Sequence, residues 1–145
     1  MIYINELMKK YLVDEKSKTQ DLAKMIVSDT KIIYDCLVYD KEGEIDETRI
    51  NFDRIIMMHG DRTGYEVACN EIRLEKEMLS KSQIISFLIE LDREFATKFS
   101  KKVVIYIQEL DDALELRFHS LRENEKLWLS DNLNGYDNPI VCYIT

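Results

Sequence analysis

The feature that most constrains this chain is a change of hydrophobic period near residue 100. Ile84, Phe87, Leu88, Leu91, Phe95 and Phe99 recur at helical spacing, with Glu90, Asp92, Arg93 and Glu94 on the opposite side. Beyond Lys101-Lys102 the spacing becomes strict alternation. Val103, Ile105 and Ile107 share one face, and after Leu110-Asp-Asp-Ala113 the residues Leu114, Leu116 and Phe118 share the matching face of a second strand. A helix with one apolar stripe and a hairpin with one apolar face each need the other to leave water. The pattern therefore predicts a long amphipathic helix packed on a β-hairpin. Ser80 and Gln83 stand at the spacing of a capping box before that helix.

Around this centre the chain reads in shorter pieces. Ile4, Leu7, Met8, Tyr11 and Leu12 lie on one helical face, and a polar interruption follows over 14–18. Leu22, Met25 and Ile26 predict a second helix, with Thr19 as its N-cap. Lys31 to Tyr39 fits either period, so the state of residues 19–58 stays open. A strand is preferred there because Asp40 to Gly43 follows as a turn. Ile50, Phe52 and Ile55 to Met58 read as a strand ending at His59-Gly60-Asp61. Asp61 to Gly64 then reads as a turn, and Tyr65 to Leu74 as a further strand, which gives a three-stranded meander. Leu127 to Leu129 suits a short strand or a helical turn, Asn134-Gly135 a tight turn, and Ile140 to Ile144 a last strand after Pro139. The expected class is α+β: an antiparallel sheet with N-terminal helices and one long amphipathic helix packed on it, in a single domain over 1–145. A chain of 145 residues, 46% hydrophobic, can close one core without staples.

The side chains that carry chemistry are sparse. Cys36, Cys69 and Cys142 are odd in number, at spacings that match no zinc or redox motif, and are expected to be free thiols. His59 reads as a turn histidine and His119 as a solvent-side strand histidine, neither placed to activate a cysteine. Glu109, Asp111, Asp112 and Glu115 have the oxygen chemistry of a divalent-cation site, but adjacent carboxylates on a hairpin tip point apart into water. Asp131 to Gly135 begins like a calcium loop and fails where Leu133 replaces an oxygen ligand. The four glycines are isolated, so no phosphate-cradling loop forms. No enzyme, metal or cofactor is expected.

Charge narrows the partners. The net charge of −8 suits neither nucleic-acid phosphates nor an anionic membrane, and it draws cationic proteins instead. After Lys102, eight acids stand against three bases. Within that stretch Glu109, Asp111, Asp112, Glu123, Glu125 and Asp131 lie among Trp128 and Tyr136, and aromatic rings ringed by carboxylates make anchors for a basic protein. The alternative is that Trp128 is a core residue and the acids only solubilise. The N-terminus mixes Asn5, Glu6, Lys9 and Lys10 into its apolar residues, unlike a secretory signal, so a cytoplasmic protein is expected.

The stretch LELRFHSLRENEKLWL (114–129), followed by NLNGYDNPIV (132–141), is similar to the tails of immunity proteins from bacterial polymorphic toxin and contact-dependent growth inhibition systems. The resemblance covers about a third of the chain. It implies a small acidic inhibitor that binds one cognate toxin domain, often a basic nuclease, and masks its active site or substrate surface. It carries over no catalytic residue. The other readings are a regulatory or interaction subunit without a toxin and, behind it, a small enzyme.

Overall fold

The computed structural model describes residues 1–13 and 21–145, so the expected cap at Thr19 lies outside the described residues. The elements run β1 (Ile2–Ile4), α1 (Glu6–Tyr11), α2 (Leu22–Ser28), β2 (Thr30–Ile33), β3 (Cys36–Tyr39), α3 (Phe52–His59), α4 (Arg62–Cys69), β4 (Ile72–Glu75), α5 (Ile84–Phe99), β5 (Val103–Glu109), β6 (Ala113–Ser120) and β7 (Ile140–Ile144). The main sheet is antiparallel throughout, in the order β1-β7-β5-β6-β4, and β2 pairs with β3 in a separate hairpin. The architecture is α+β, with helices packed on an antiparallel sheet, as the change of period predicts.

Alternation divides the main sheet into two faces. Val103, Ile105, Ile107, Leu114, Leu116, Phe118 and Val141 meet Phe87, Leu88, Leu91 and Phe95 of α5 in the largest core cluster, which α1 and α2 join through Met8, Ala23, Ile26 and Val27. Lys98 on α5 donates to the carbonyls of Val27 and Thr30 at 2.9 and 3.1 Å, so the long helix also satisfies the end of α2. On the other face, Val104, Tyr106 and Cys142 are covered by Leu121, Leu127, Leu129 and Leu133 from the loop 121–139. Leu127 to Leu129 form neither strand nor helix there. His119 belongs to this second face. It is 1% exposed, and the expected solvent-side position is corrected because the loop roofs that face over.

The middle of the chain departs most from expectation. Lys31 to Tyr39 is two strands, because Tyr34 and Asp35 both take positive φ (48° and 64°) in a two-residue turn. Such turns usually advertise themselves with Asn or Gly, which are absent here. The expected strand through Ile50 and Met58 is α3. Phe52, Ile55, Ile56 and His59 fall at i, i+3, i+4 and i+7, and the Asn51 side chain accepts from Arg54 N–H at 3.2 Å. The expected turn Asp61–Gly64 is the start of α4, capped by Asp61, whose carboxylate accepts from Gly64 N–H at 2.7 Å. Gly64 is required here, since a Cβ would overlap the His59 carbonyl. Of the expected strand Tyr65 to Leu74, β4 keeps the end and α4 takes the rest, so the meander is replaced by two helices and one strand. Near the N-terminus, Ile2–Ile4 is a strand, and Asn5 separates it from α1 by accepting from Met8 N–H at 2.8 Å. Before α5 the capping box forms by half. Gln83 Oε1 accepts from Ser80 N–H at 2.9 Å and from the Ser80 hydroxyl at 3.1 Å, while Gln83 N–H donates to the Ser80 carbonyl at 2.9 Å.

Glu66 of α4 and Asn70 at its C-cap, one turn apart, join the small hairpin to the main sheet. Glu66, fully buried, accepts from Leu37 N–H on β3 (2.6 Å) and from Ser120 N–H and hydroxyl on β6 (3.1 and 2.8 Å), and it pairs with Arg122. Asn70 accepts from Tyr39 N–H (2.7 Å) and donates to the carbonyls of Leu37 and Phe118 (2.9 and 3.1 Å). Glu66 and Asn70 thus do for two facing strand edges what a further strand would do, by satisfying backbone groups that would otherwise be buried unpaired. Tyr65, from the same helix, carries the second core cluster with Ile33, Cys36 and Val38, against which Phe52 and Ile55 of α3 pack.

Candidate protein-binding surface

The acids singled out in the sequence do not gather on one face. Asp111 and Asp112 project from the β5–β6 turn, whereas Glu123 and Glu125 follow the far end of β6, about 25 Å away at the rise of an eight-residue strand. Each group already has a partner nearby. Arg73 pairs with Asp112 at 2.8 Å and holds its carboxyl below the usual range. Lys76 pairs with Glu109 at 2.7 Å and donates to the Asp111 carbonyl at 3.1 Å. Glu125 accepts from Thr63 N–H at 2.7 Å, at the N-terminal turn of α4, where a carboxylate is favoured by the helix dipole. Glu123 and Asp131 are exposed.

Trp128 is neither buried nor free. It is 37% exposed, with the Arg117 guanidinium 4.8 Å over its ring and Tyr106 edge-on at 5.4 Å. The Tyr136 hydroxyl accepts from Ser130 N–H at 2.9 Å. Trp128, Asp131 and Tyr136 are therefore parts of the loop that roofs the back of the sheet.

A different surface combines apolar exposure with charge. No residue of α3 is fully buried, and Met57 and Met58 on its outer side are 85% and 74% exposed. Asp53 stands one turn before Met57 and Arg54 one turn before Met58. The segment leading into the helix carries Asp40, Glu42, Glu44, Asp46 and Glu47 against Lys41 and Arg49, a balance of −3, and Asp53 and Arg54 in the first turn of the helix cancel. Two of these acids are held ionised. Asp40 is lowered by Lys31 at 2.7 Å and by the N–H groups of Ile45 and Glu44, and Asp46 by the Thr48 hydroxyl and N–H. Tyr34 stacks on Phe52 at 4.7 Å beside this segment, and it is itself exposed. The sequence reading missed this surface because a strand assignment sends Met57 and Met58 to opposite faces. The signal that finds it is Asn51 as a cap with apolar residues at i+1, i+4 and i+5.

Cys36, Cys142 and His119 are buried, Cys69 is half-buried and His59 is exposed. The three cysteines are free; burial pushes the Cys36 and Cys142 thiols up to about 12 and also raises Cys69. His119 donates from Nδ1 to the Ser120 carbonyl at 2.8 Å, which leaves Nε2 to accept from the Tyr106 hydroxyl at 3.1 Å. Burial lowers its pKa, so the ring is neutral. Among the described residues no three His, Cys, Asp or Glu converge as a metal site, and no helix is long and apolar enough to cross a membrane.

No curated protein and no solved structure matches this chain. A family model matches residues 3–144, almost the whole sequence, and the chain thus belongs to the uncharacterized protein PM0498 family.

Proposed function

We propose that this chain is a binding protein that neutralises a cognate basic toxin domain, of the nuclease kind, by direct contact. The observation that carries the reading is the outer side of α3, where Met57 and Met58 stand in water beside a segment of charge −3. A surface that handles nucleic acid is lined with Lys and Arg, so an acidic protein is attracted to the very surface the substrate needs. Charge speeds the encounter. The methionines, flexible and polarisable, then supply apolar contact that adapts to the partner and slows release. A cytoplasmic location goes with this reading, because three unpaired thiols suit a reducing compartment.

An immunity gene sits directly downstream of its toxin gene, which makes the test specific. The basic domain encoded immediately upstream is expressed in cells with the wild-type chain, or with the Met57→Ser, Met58→Ser double variant. The expected result is growth with the wild type and arrest with the variant. Arrest with both contradicts neutralisation. Absence of an upstream toxin, with binding to another basic protein through α3, favours a regulatory subunit instead.

A further inference from the structure

On the back of the main sheet the loop 121–139 does not close fully on the strands, and a cavity of about 280 Å³ is left between them. Tyr106, Cys142 and Ile144 form its strand side, and Leu127, Leu129 and Leu133 its loop side. We infer that this cavity binds a small amphipathic molecule: one ring or a short alkyl chain, with an ammonium or hydroxyl group at its outer end.

Size sets the first limit. An apolar cavity of roughly half this volume stays dry and takes up benzene, so this one fits a ring with a short side chain and no peptide segment. The interior sets the second. The Tyr106 hydroxyl is committed to His119 at 3.1 Å and the Tyr3 hydroxyl donates to Met1 Sδ at 3.3 Å, while the exposed Ser130 hydroxyl accepts from Asn132 N–H at 3.2 Å. The Cys142 thiol stays protonated, since burial raises it to about 12. A polar group carried deep into such a site loses water and gains little in return, so the inner part of the ligand is hydrocarbon. The mouth sets the third. Asp131 is exposed there, and it is the one charged side chain among the lining residues. A carboxylate at the opening favours a hydrogen-bond donor or a cation and repels a second carboxylate.

The single tryptophan is a built-in reporter, because Trp128 lies between Leu127 and Leu129 and against Tyr106. Phenethylamine and phenylacetate are titrated into the full chain, with Trp128 emission and calorimetry read in parallel. The amine is expected to bind saturably and at least about tenfold more tightly than the acid, a gap of about 1.4 kcal/mol. Asp131→Asn should erase that gap. Leu133→Phe and Cys142→Ile fill the cavity from opposite sides, and each variant that still melts cooperatively should lose binding of both compounds. No saturable binding of phenethylamine overturns the inference. Binding that persists in a filled, folded variant, or equal affinity for the acid and the amine in the wild type, overturns it as well.

Discussion

Glu66 is a buried charge that three structural elements share. Removing it strands the Leu37 and Ser120 N–H groups and leaves Arg122 unpaired. Loss of one partner from a buried ion pair costs about 3–5 kcal/mol, so Glu66→Ala should lower stability by that order in denaturant melts. A loss below about 1 kcal/mol would mean that water or a shifted side chain takes over these bonds. His119 makes a separate demand. Its folded pKa lies below the ordinary 6.5, so the unfolded chain takes up its proton first as pH falls. The stability it contributes is complete above pH 6.5 and is lost below that value. As pH falls below about 6.5 stability should therefore decline, by at most about 1.4 kcal/mol per pH unit for one proton. His119→Gln should flatten that limb, as read by chemical melts at stepped pH; an unchanged slope would assign the proton to another group.

At the level of elements, α5 and the β5–β6 hairpin make a self-consistent unit. Phe95 is fully buried, with its ring 4.8 Å from Phe118 and 6.4 Å from Phe99. Phe95→Ala should cost about 3–5 kcal/mol, and an unchanged melting temperature would remove it from the core. Helix α3 should behave in the opposite way. Met57→Ser with Met58→Ser exchanges water-facing side chains, so the melting temperature should hold while partner binding falls; a collapse of stability would mean that the methionines pack against the chain itself. This contrast also explains what was legible beforehand. The unit of α5, β5 and β6 shows long, unbroken periodicity, and period alone was enough to read it. The eight-residue helices α3 and α4 carry too few turns to overrule strand formers such as Ile55, Ile56 and Val67. The β2–β3 turn rests on a left-handed Tyr34 that no local rule anticipates. The candidate site depended on these short elements. The acidic residues after Lys102 are visible in sequence, but Arg73, Lys76 and the N-terminus of α4 reach them only through folding.

For the whole molecule the proposed function needs one pairing: an acidic surface with exposed methionines against a basic partner. On the proposed reading the −8 charge would steer approach from a distance and be screened by salt, whereas contact through the exposed Met57 and Met58 would be short-ranged and outlast screening. Around the β5–β6 turn Glu109 and Asp112 are paired with Lys76 and Arg73, and Lys76 also reaches the Asp111 carbonyl, so this turn should add little. The most direct measurement is the association and dissociation kinetics of the purified upstream-encoded basic domain, at low and high salt. It compares wild type, Asp53→Lys with Glu47→Lys, Asp111→Lys with Asp112→Lys, and Met57→Ser with Met58→Ser. The Asp53 and Glu47 pair should lower the on-rate at low salt, with the difference shrinking as salt rises. The methionine pair should raise the off-rate at both salt levels, and the Asp111 and Asp112 pair should stay near wild type. Wild-type kinetics in both α3 variants, or a larger loss from the Asp111 and Asp112 pair, would contradict the proposed function.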